Sequence, residues 1–204
     1  MYIYPEKCMI FEKTCRASEK KNGKKTCIID GKRIRYIVRK KITGVLRGRR
    51  GMSLGQIIIR SMTAEDYEKV HGLWMEISGF GIRSMDDSKE GVERFLQRNP
   101  GCSVVADLDG QIVGSILCGH DGRRGCLYHV CVQKDYRNHG IGKDMVVFAM
   151  EALKREQINK VSLIAFTKND IGNAFWNEIG WTKREDLNYY DFTLNEANIT
   201  AFNK

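Results

Sequence analysis

Residues 127–142, Leu-Tyr-His-Val-Cys-Val-Gln-Lys-Asp-Tyr-Arg-Asn-His-Gly-Ile-Gly, carry an apolar run into a glycine-bearing loop, and an amphipathic segment begins at Lys143. The order is strand, short loop, helix start. That arrangement gathers backbone N–H groups at a helix N-terminus, where they can hold a phosphate. Gly140 and Gly142 let a ligand's oxygens approach the main chain with no Cβ in the way. A Walker loop needs Gly, four residues, then Gly-Lys-Ser/Thr; here Arg137 replaces the first glycine and Asp144 follows Gly142-Lys143. A dinucleotide fingerprint needs a third glycine where Met145 stands. What is left is Arg-x-x-Gly-x-Gly, set against the bland reading of a glycine turn that binds nothing.

A second constellation lies downstream. Val161–Phe166 forms an apolar run, followed by Asn169, Trp176 and the pair Gly180-Trp181. The Arg137–Gly142 loop resembles the acetyl-CoA pyrophosphate loop of the GNAT N-acetyltransferase superfamily. Asn169, an aromatic seven residues on and a Gly-aromatic pair four after that match the same family's spacing. The likeness spans roughly residues 56–194, and Arg184 and Asp186, beside Leu187, resemble a feature of a bacterial subgroup of this family with unassigned substrate. It implies an α+β fold: a central mixed, mostly antiparallel sheet of about seven strands, splayed between strands four and five and flanked by about four helices.

Working outward, the charge is uneven. Residues 1–55 hold 16 Lys and Arg against 4 acids, whereas residues 56–204 hold 18 against 21. The formal charge of +9 therefore belongs to the N-terminal segment and says little about the substrate of the rest. The 42% hydrophobic content suits a globular protein with a real core. The seven cysteines form no C-x-x-C pair and no metal-ligand spacing, so no metal is expected. Their odd number, with no secretory signal, fits a reducing cytoplasm. No apolar run approaches the ~18 residues a membrane span needs.

Residues 1–51 read as a basic N-terminal extension, either a hairpin or disordered, and residues 52–204 as the acetyltransferase domain. Thr26–Val38 suits a β-hairpin turning at Asp30-Gly31, preceded by a polar stretch at Lys20–Lys25 and followed by a linker at Arg47–Gly51. Met52 restarts a plausible shorter chain, so the extension is read as an upstream addition from a misassigned start codon. Its rival is a basic arm for RNA or the ribosome, against which the sparse aromatics count.

Beyond it, the patterns predict a strand at 56–60, a helix capped near Thr63 and running to Ser78, and a second helix over 88–98. A hairpin follows, 102–107 with 111–118, then a fourth strand at 126–132 and a third helix at 140–156. Ile141, Met145, Phe148, Ala149, Ala152 and Leu153 should face the sheet. A fifth strand (161–166), a fourth helix (170–179) and two last strands (181–186, 189–194) complete the series.

The resemblance implies transfer of an acetyl group from acetyl-CoA, as co-substrate, to the primary amine of a small molecule or of a peptide or protein. Val130, Cys131 and Val132 would then pair with the pantetheine arm. Arg137, Asn138, His139, Gly140, Ile141, Gly142 and Lys143 would cradle the pyrophosphate, with Arg137 acting chiefly through loop packing. Asn169 would bond the pantetheine arm, an N-cap role being its alternative. Trp176 stands where the family often has a proton-donating Tyr. An indole N–H cannot protonate a thiolate near neutral pH, so packing is the simpler role. A carboxylate used elsewhere in the family corresponds to Ile164. Tyr128 is thereby the candidate for proton handling, although its ordinary pKa near 10 makes it a poor base.

Simple alternation sends His129 to the other sheet face and a structural role, unless a bulge intervenes. Trp74, Phe80 and Tyr189 are expected at the acceptor site. Glu76, Asp86 and Asp87 read as acids near it, by default solvated. Arg184 and Asp186 read as an ion pair holding the last strands. Two other functions stay open: a ribosomal-protein N-terminal acetyltransferase, and an acetyl-CoA-binding regulatory module with little turnover. A homodimer stays open too.

Overall fold

The computed structural model describes residues 56–203 in full and residues 25–30 and 33–38 as backbone. Its strands are β1 (Lys25–Asp30), β2 (Arg33–Val38), β3 (Ile57–Ser61), β4 (Gly81–Arg83), β5 (Val104–Leu108), β6 (Gln111–His120), β7 (Gly125–Val132), β8 (Val161–Leu163) and β9 (Thr200–Phe202). Its helices are α1 (Tyr67–Met75), α2 (Lys89–Arg98), α3 (Ile141–Arg155) and α4 (Asp170–Glu178), with 3-10 turns at Ala64–Asp66 and Lys134–Tyr136.

The main sheet runs β1-β2-β3-β5-β6-β7-β8. Every pair is antiparallel except β7 with β8. Central β6 is buried along eight consecutive residues because both of its faces are covered. Alternation divides the neighbouring strands between two cores. Ile57, Ile59, Val104, Ala106 and Leu127 pack with Met145, Phe148, Ala149, Ala152 and Leu153 of α3. Val105 and Leu117 pack on the opposite face with Val70, Leu73 and Trp74 of α1 and Val92 of α2. All six α3 positions predicted to face the sheet are buried.

Local chemistry sets the helix starts. The Asp66 carboxylate accepts the Thr63 N–H at 2.9 Å, so the predicted cap at Thr63 opens a 3-10 turn before α1. The Ser88 Oγ accepts the Gly91 N–H at 3.1 Å and starts α2, which stops at Asn99 before Pro100. α1 ends at Met75, three residues short of the expected Ser78.

Three further expectations change. The hairpin pairs Asp30 with Arg33, so its connection is residues 31–32 rather than Asp30-Gly31, and β2 continues the sheet on the β3 edge. The connection itself, the stretch at Lys20–Lys24, the linker at Arg47–Gly51 and the restart at Met52 lie outside the described residues. The fifth strand is only Val161–Leu163. The two last strands at 181–186 and 189–194 do not form; that segment is irregular and exposed. β8 offers it only a three-residue edge, and the chain is captured further on instead. The Asn203 Nδ2 donates to the carbonyls of Trp74 (2.7 Å) and Ile77 (3.1 Å). The Asn198 Oδ1 accepts the N–H groups of Met85 (3.0 Å) and Asp86 (3.4 Å). β9 thereby pairs with β4 in a second, two-stranded sheet. The main sheet still reaches seven strands because the N-terminal hairpin supplies two. Among the described residues, no helix is long and apolar enough to cross a membrane.

Candidate active site

β7 and β8 pair only over Gly125–Leu127 and Val161–Leu163. Beyond Leu127 the two strands part, leaving one edge of β7 open. Gln133 gives its N–H to Val113 of β6 at 2.9 Å. Alternation back along the strand then turns the amides of Val132 and Val130 away from β6, into the gap. Cys131 instead points its side chain into the core beside α1, with its thiol 3.3 Å from the Ser115 Oγ. Burial pushes the Cys131 thiol up to about 11, so it is inert near neutral pH.

The glycine loop stands at the mouth of this gap. Gly140 is the N-cap of α3 and takes the left-handed conformation, φ 71°. Asn138 is also left-handed, at φ 61°. Within the helix the first bond of this turn runs from the Asp144 N–H to the Gly140 carbonyl at 3.1 Å. The amides of Ile141, Gly142 and Lys143 therefore carry no intrahelical partner and face the loop, at the positive end of the helix dipole. A Cβ on Gly142 would lie 3.3 Å from the Phe175 ring and 3.7 Å from Val132, so glycine lets the α3 start sit against α4 and the end of β7. The Arg137 Nε donates to the Val132 carbonyl at 2.9 Å, which fastens the loop to β7. The His139 Nδ1 lies 2.7 Å from the Arg137 carbonyl, within the loop itself.

Asn169 caps α4: its Oδ1 accepts the Gly172 N–H at 2.9 Å. Trp176 packs on the α3-side core, its ring centroid 5.0 Å from Phe175 and 4.9 Å from Trp181. Trp74 is fully buried and gives its indole N–H to the Ser115 Oγ at 2.9 Å. Tyr189 is 66% exposed, on the irregular C-terminal segment. Tyr128 packs edge-on to Phe95 of α2 at 6.0 Å. Burial first, then the hydrogen-bonded Cys126 thiol, pushes its phenol far above the ordinary value, which makes a phenolate base less accessible still. Among the described residues no group of His, Cys, Asp or Glu could hold a metal ion.

The strand holds one surprise. Ser115 faces Cys131 and Leu117 faces Tyr128, so His129 and Val130 together oppose the single residue Ile116. This is a bulge, with His129 in the left-handed region at φ 48°. The extra residue cancels one alternation. Tyr128 and His129 therefore both face α1 and α2, which corrects the expectation that His129 points to the opposite face. Its ring lies 4.7 Å from Trp74 and 4.9 Å from Phe80. Its Nε2 is 2.6 Å from the Asp87 Oδ1. Asp87 is 4% exposed, not the solvated acid expected. Sequence reasoning missed this pair because the bulge carries no glycine or turn residue to announce it. Of the other acids, Asp86 accepts from the Asn198 Nδ2 at 2.8 Å and Glu76 from the Gln133 Nε2 at 3.3 Å. Arg184 and Asp186 form the expected ion pair at 2.6 Å, on an exposed irregular segment with no last strands to hold.

An open strand edge beside a glycine-capped helix start is the arrangement the sequence resemblance implied. The sequence profile of the acetyltransferase (GNAT) family matches residues 67–181, more than half of the chain. The chain belongs to the GNAT acetyltransferase family. It is an acyl-CoA N-acyltransferase, with acetyl-CoA as co-substrate. An acetyltransferase of Sodalis glossinidius is 29% identical over 129 residues, covering 63% of this chain and 89% of its own. One from Pectobacterium atrosepticum is 32% identical over 112 residues, covering 55% and 78%. The PaiA N-acetyltransferase of Thermoplasma acidophilum, solved with coenzyme A, shares the fold: TM-score 0.53 at 20% identity, over 62% of this chain and 88% of that one. In this GNAT chain the glycine loop follows β7 and Asn169 follows β8, the two strands that pair only over Gly125–Leu127 and Val161–Leu163.

Proposed function

We propose that this acetyltransferase acetylates the primary amine of a small molecule or of a peptide or protein, in the cytoplasm. The observation that carries the reading is the fork itself. Val130 and Val132 present amides to a gap that opens beside the first turn of α3. A coenzyme diphosphate on the amides of residues 140–143 directs the pantetheine arm along that edge, and Val130 N–H polarises the thioester carbonyl. Arg137 and His139 shape the loop, and Asn138 sets its left-handed turn. Asn169 holds the facing end of α4, and Trp176 packs the wall beside it. Phe80 lines the acceptor face, with Trp74 behind it and Tyr189 at its rim.

The neutral amine attacks the thioester carbon, forming C–N. The electron pair of C–S leaves with the coenzyme thiolate. The hydrogen-bonded carbonyl oxygen bears the transient charge. The free thiols Cys102, Cys118 and Cys131, all buried, suit a reducing compartment.

The test is thiol release from acetyl-CoA over a panel of alkyl amines, aminoglycosides and peptide N-termini, with coenzyme A binding measured in parallel by calorimetry. Release with one acceptor class supports the reading and names the class. Saturable coenzyme binding with no release on any acceptor overturns it in favour of a binding module.

A further inference from the structure

We propose that His129 is the catalytic base of this enzyme, taking the amine's proton on Nδ1, and that Asp87 is its positioning residue. The inference rests on the acetyl-transfer reading and adds the proton acceptor that the sequence did not supply.

The bulge places the histidine. His129 immediately precedes Val130, whose amide faces the gap, and adjacent Cα atoms lie about 3.8 Å apart. The imidazole thus leaves the strand beside the carbonyl site, on the face of α1 and α2. The opposite face is closed by α3 and its core, so an acceptor reaches the carbonyl carbon from the side of the imidazole.

The hydrogen bonds select the tautomer. Asp87 is held from three directions. Its Oδ2 accepts the Arg83 N–H at 2.7 Å, its N–H donates to the Arg83 carbonyl at 3.0 Å, and its carbonyl accepts the Tyr67 hydroxyl at 3.0 Å. Its remaining oxygen, Oδ1, meets the His129 Nε2 at 2.6 Å. A carboxylate only accepts, so the neutral ring carries its hydrogen on Nε2 and its lone pair on Nδ1. Nδ1 has no hydrogen-bond partner among the described residues, and the side chain keeps 13% exposure. Trp74, locked by its own bond to Ser115, and Phe80, stacked on Trp74, both pack against the ring. A buried carboxylate, an oriented imidazole and one free lone pair beside the reacting carbon form the constellation a general base requires.

The step balances. As C–N forms and C–S breaks, the nitrogen loses one proton to Nδ1. The imidazolium returns that proton through solvent to the departing thiolate, giving the free thiol and neutral His129. No separate acid is needed, which accords with a packed Trp176.

Among the described residues, His129 meets the Asp87 carboxylate, whose backbone carbonyl accepts the Tyr67 hydroxyl at 3.0 Å; His71 lies on the far side of Trp74, and Tyr128 precedes His129 in β7. The charge of Arg83 acts on the Tyr128 phenol, as do Cys126 and Tyr189.

The test uses the full chain and the best amine from the panel. His129→Gln removes the base. His129→Gly suits φ 48° and frees the space of the ring. Both should lower kcat about 10²–10⁴-fold, leave coenzyme A affinity within twofold, and abolish the acid limb of the kcat profile. Added imidazole should restore activity to His129→Gly but not to the wild type. Asp87→Asn should lower kcat at least tenfold with an unchanged KM for acetyl-CoA, and move the acid limb. If either His129 variant keeps kcat within twofold, the proposal is overturned. It is also overturned if both variants lose coenzyme affinity together with rate, since His129 is then a structural residue. Should the wild type bind coenzyme A and acetylate no amine, the acetyl-transfer reading itself has failed, and the proposal with it.

Discussion

Replacing Gly140 by valine tests the phosphate-loop geometry most directly. Gly140 sits at φ 71°, ψ 12° as the N-cap of α3. An L-residue in that region costs about 1–2 kcal/mol, and a β-branched one lies at or above the upper end. Asparagine visits the same region far more readily, so Gly140→Asn is the matched control. The strain has two outlets. If the loop keeps its shape, the folded state loses about 2 kcal/mol, and Tm falls by roughly 4–8 °C for a domain of this size. If the loop relaxes, the amides of residues 141–143 swing off the diphosphate. At about 1.4 kcal/mol per tenfold, coenzyme A then binds roughly 10–30-fold more weakly. Melting curves and calorimetry on both variants separate the outlets. Valine should lose Tm, affinity or a share of each, while asparagine stays near the wild type in both. A Gly140→Val protein with unaltered Tm and unaltered coenzyme affinity refutes the argument, as does asparagine failing as badly as valine.

Asp66→Asn should destabilise the fold near neutral pH by about 2–4 kcal/mol, through weakened charged bonds and a weakened cap. Arg60 contacts Asp66 at 2.7 Å and retains Asp107 at 2.9 Å, which limits the loss. Burial alone would raise the Asp66 carboxyl, but the Arg60 hydrogen bond, the Thr63 N–H and the Arg60 charge together hold it below the usual range. A depressed carboxyl stabilises the fold above its unfolded pKa and loses that contribution as pH falls through the folded one. The gap between wild type and Asp66→Asn in urea titrations should therefore narrow in acid below about pH 4; a gap that widens there contradicts the assignment.

Trp176→Tyr should change kcat less than threefold, since Trp176 packs between Phe175 and Trp181; a large gain in steady-state rate would make proton supply to the thiolate limiting. Among Cys102, Cys118, Cys126 and Cys131, native-state thiol labelling followed by peptide mapping should find Cys126 first. It alone of the four is not buried, and burial pushes the Cys102 thiol up to about 11. Early modification of Cys118 would contradict the packing.

How much of this was legible in one dimension varies by element. α3 was readable because its apolar spacing is a local, periodic signal, and all six residues chosen from that spacing are buried. The Ser88 start of α2 and the Asn169 start of α4 were readable because capping is decided within a few residues. The last strands were not, because a strand exists only where another offers an edge. Residues 181–194 have strand-like composition, yet β8 stops at Leu163. β9 was unforeseeable for the same reason: its partner, β4, lies more than a hundred residues earlier in the chain.

The order of residues by itself determined the family, the glycine loop and the placement of the N-terminal charge, all of which are patterns of composition and spacing along the chain. Only the tertiary structure decided the face of His129 and the company of Asp87. A single extra residue opposite Ile116 inverts the alternation, and the carboxylate it meets is 42 positions away in sequence. Side-chain direction in a strand depends on how the neighbouring strand pairs with it, and that pairing is written in no local stretch.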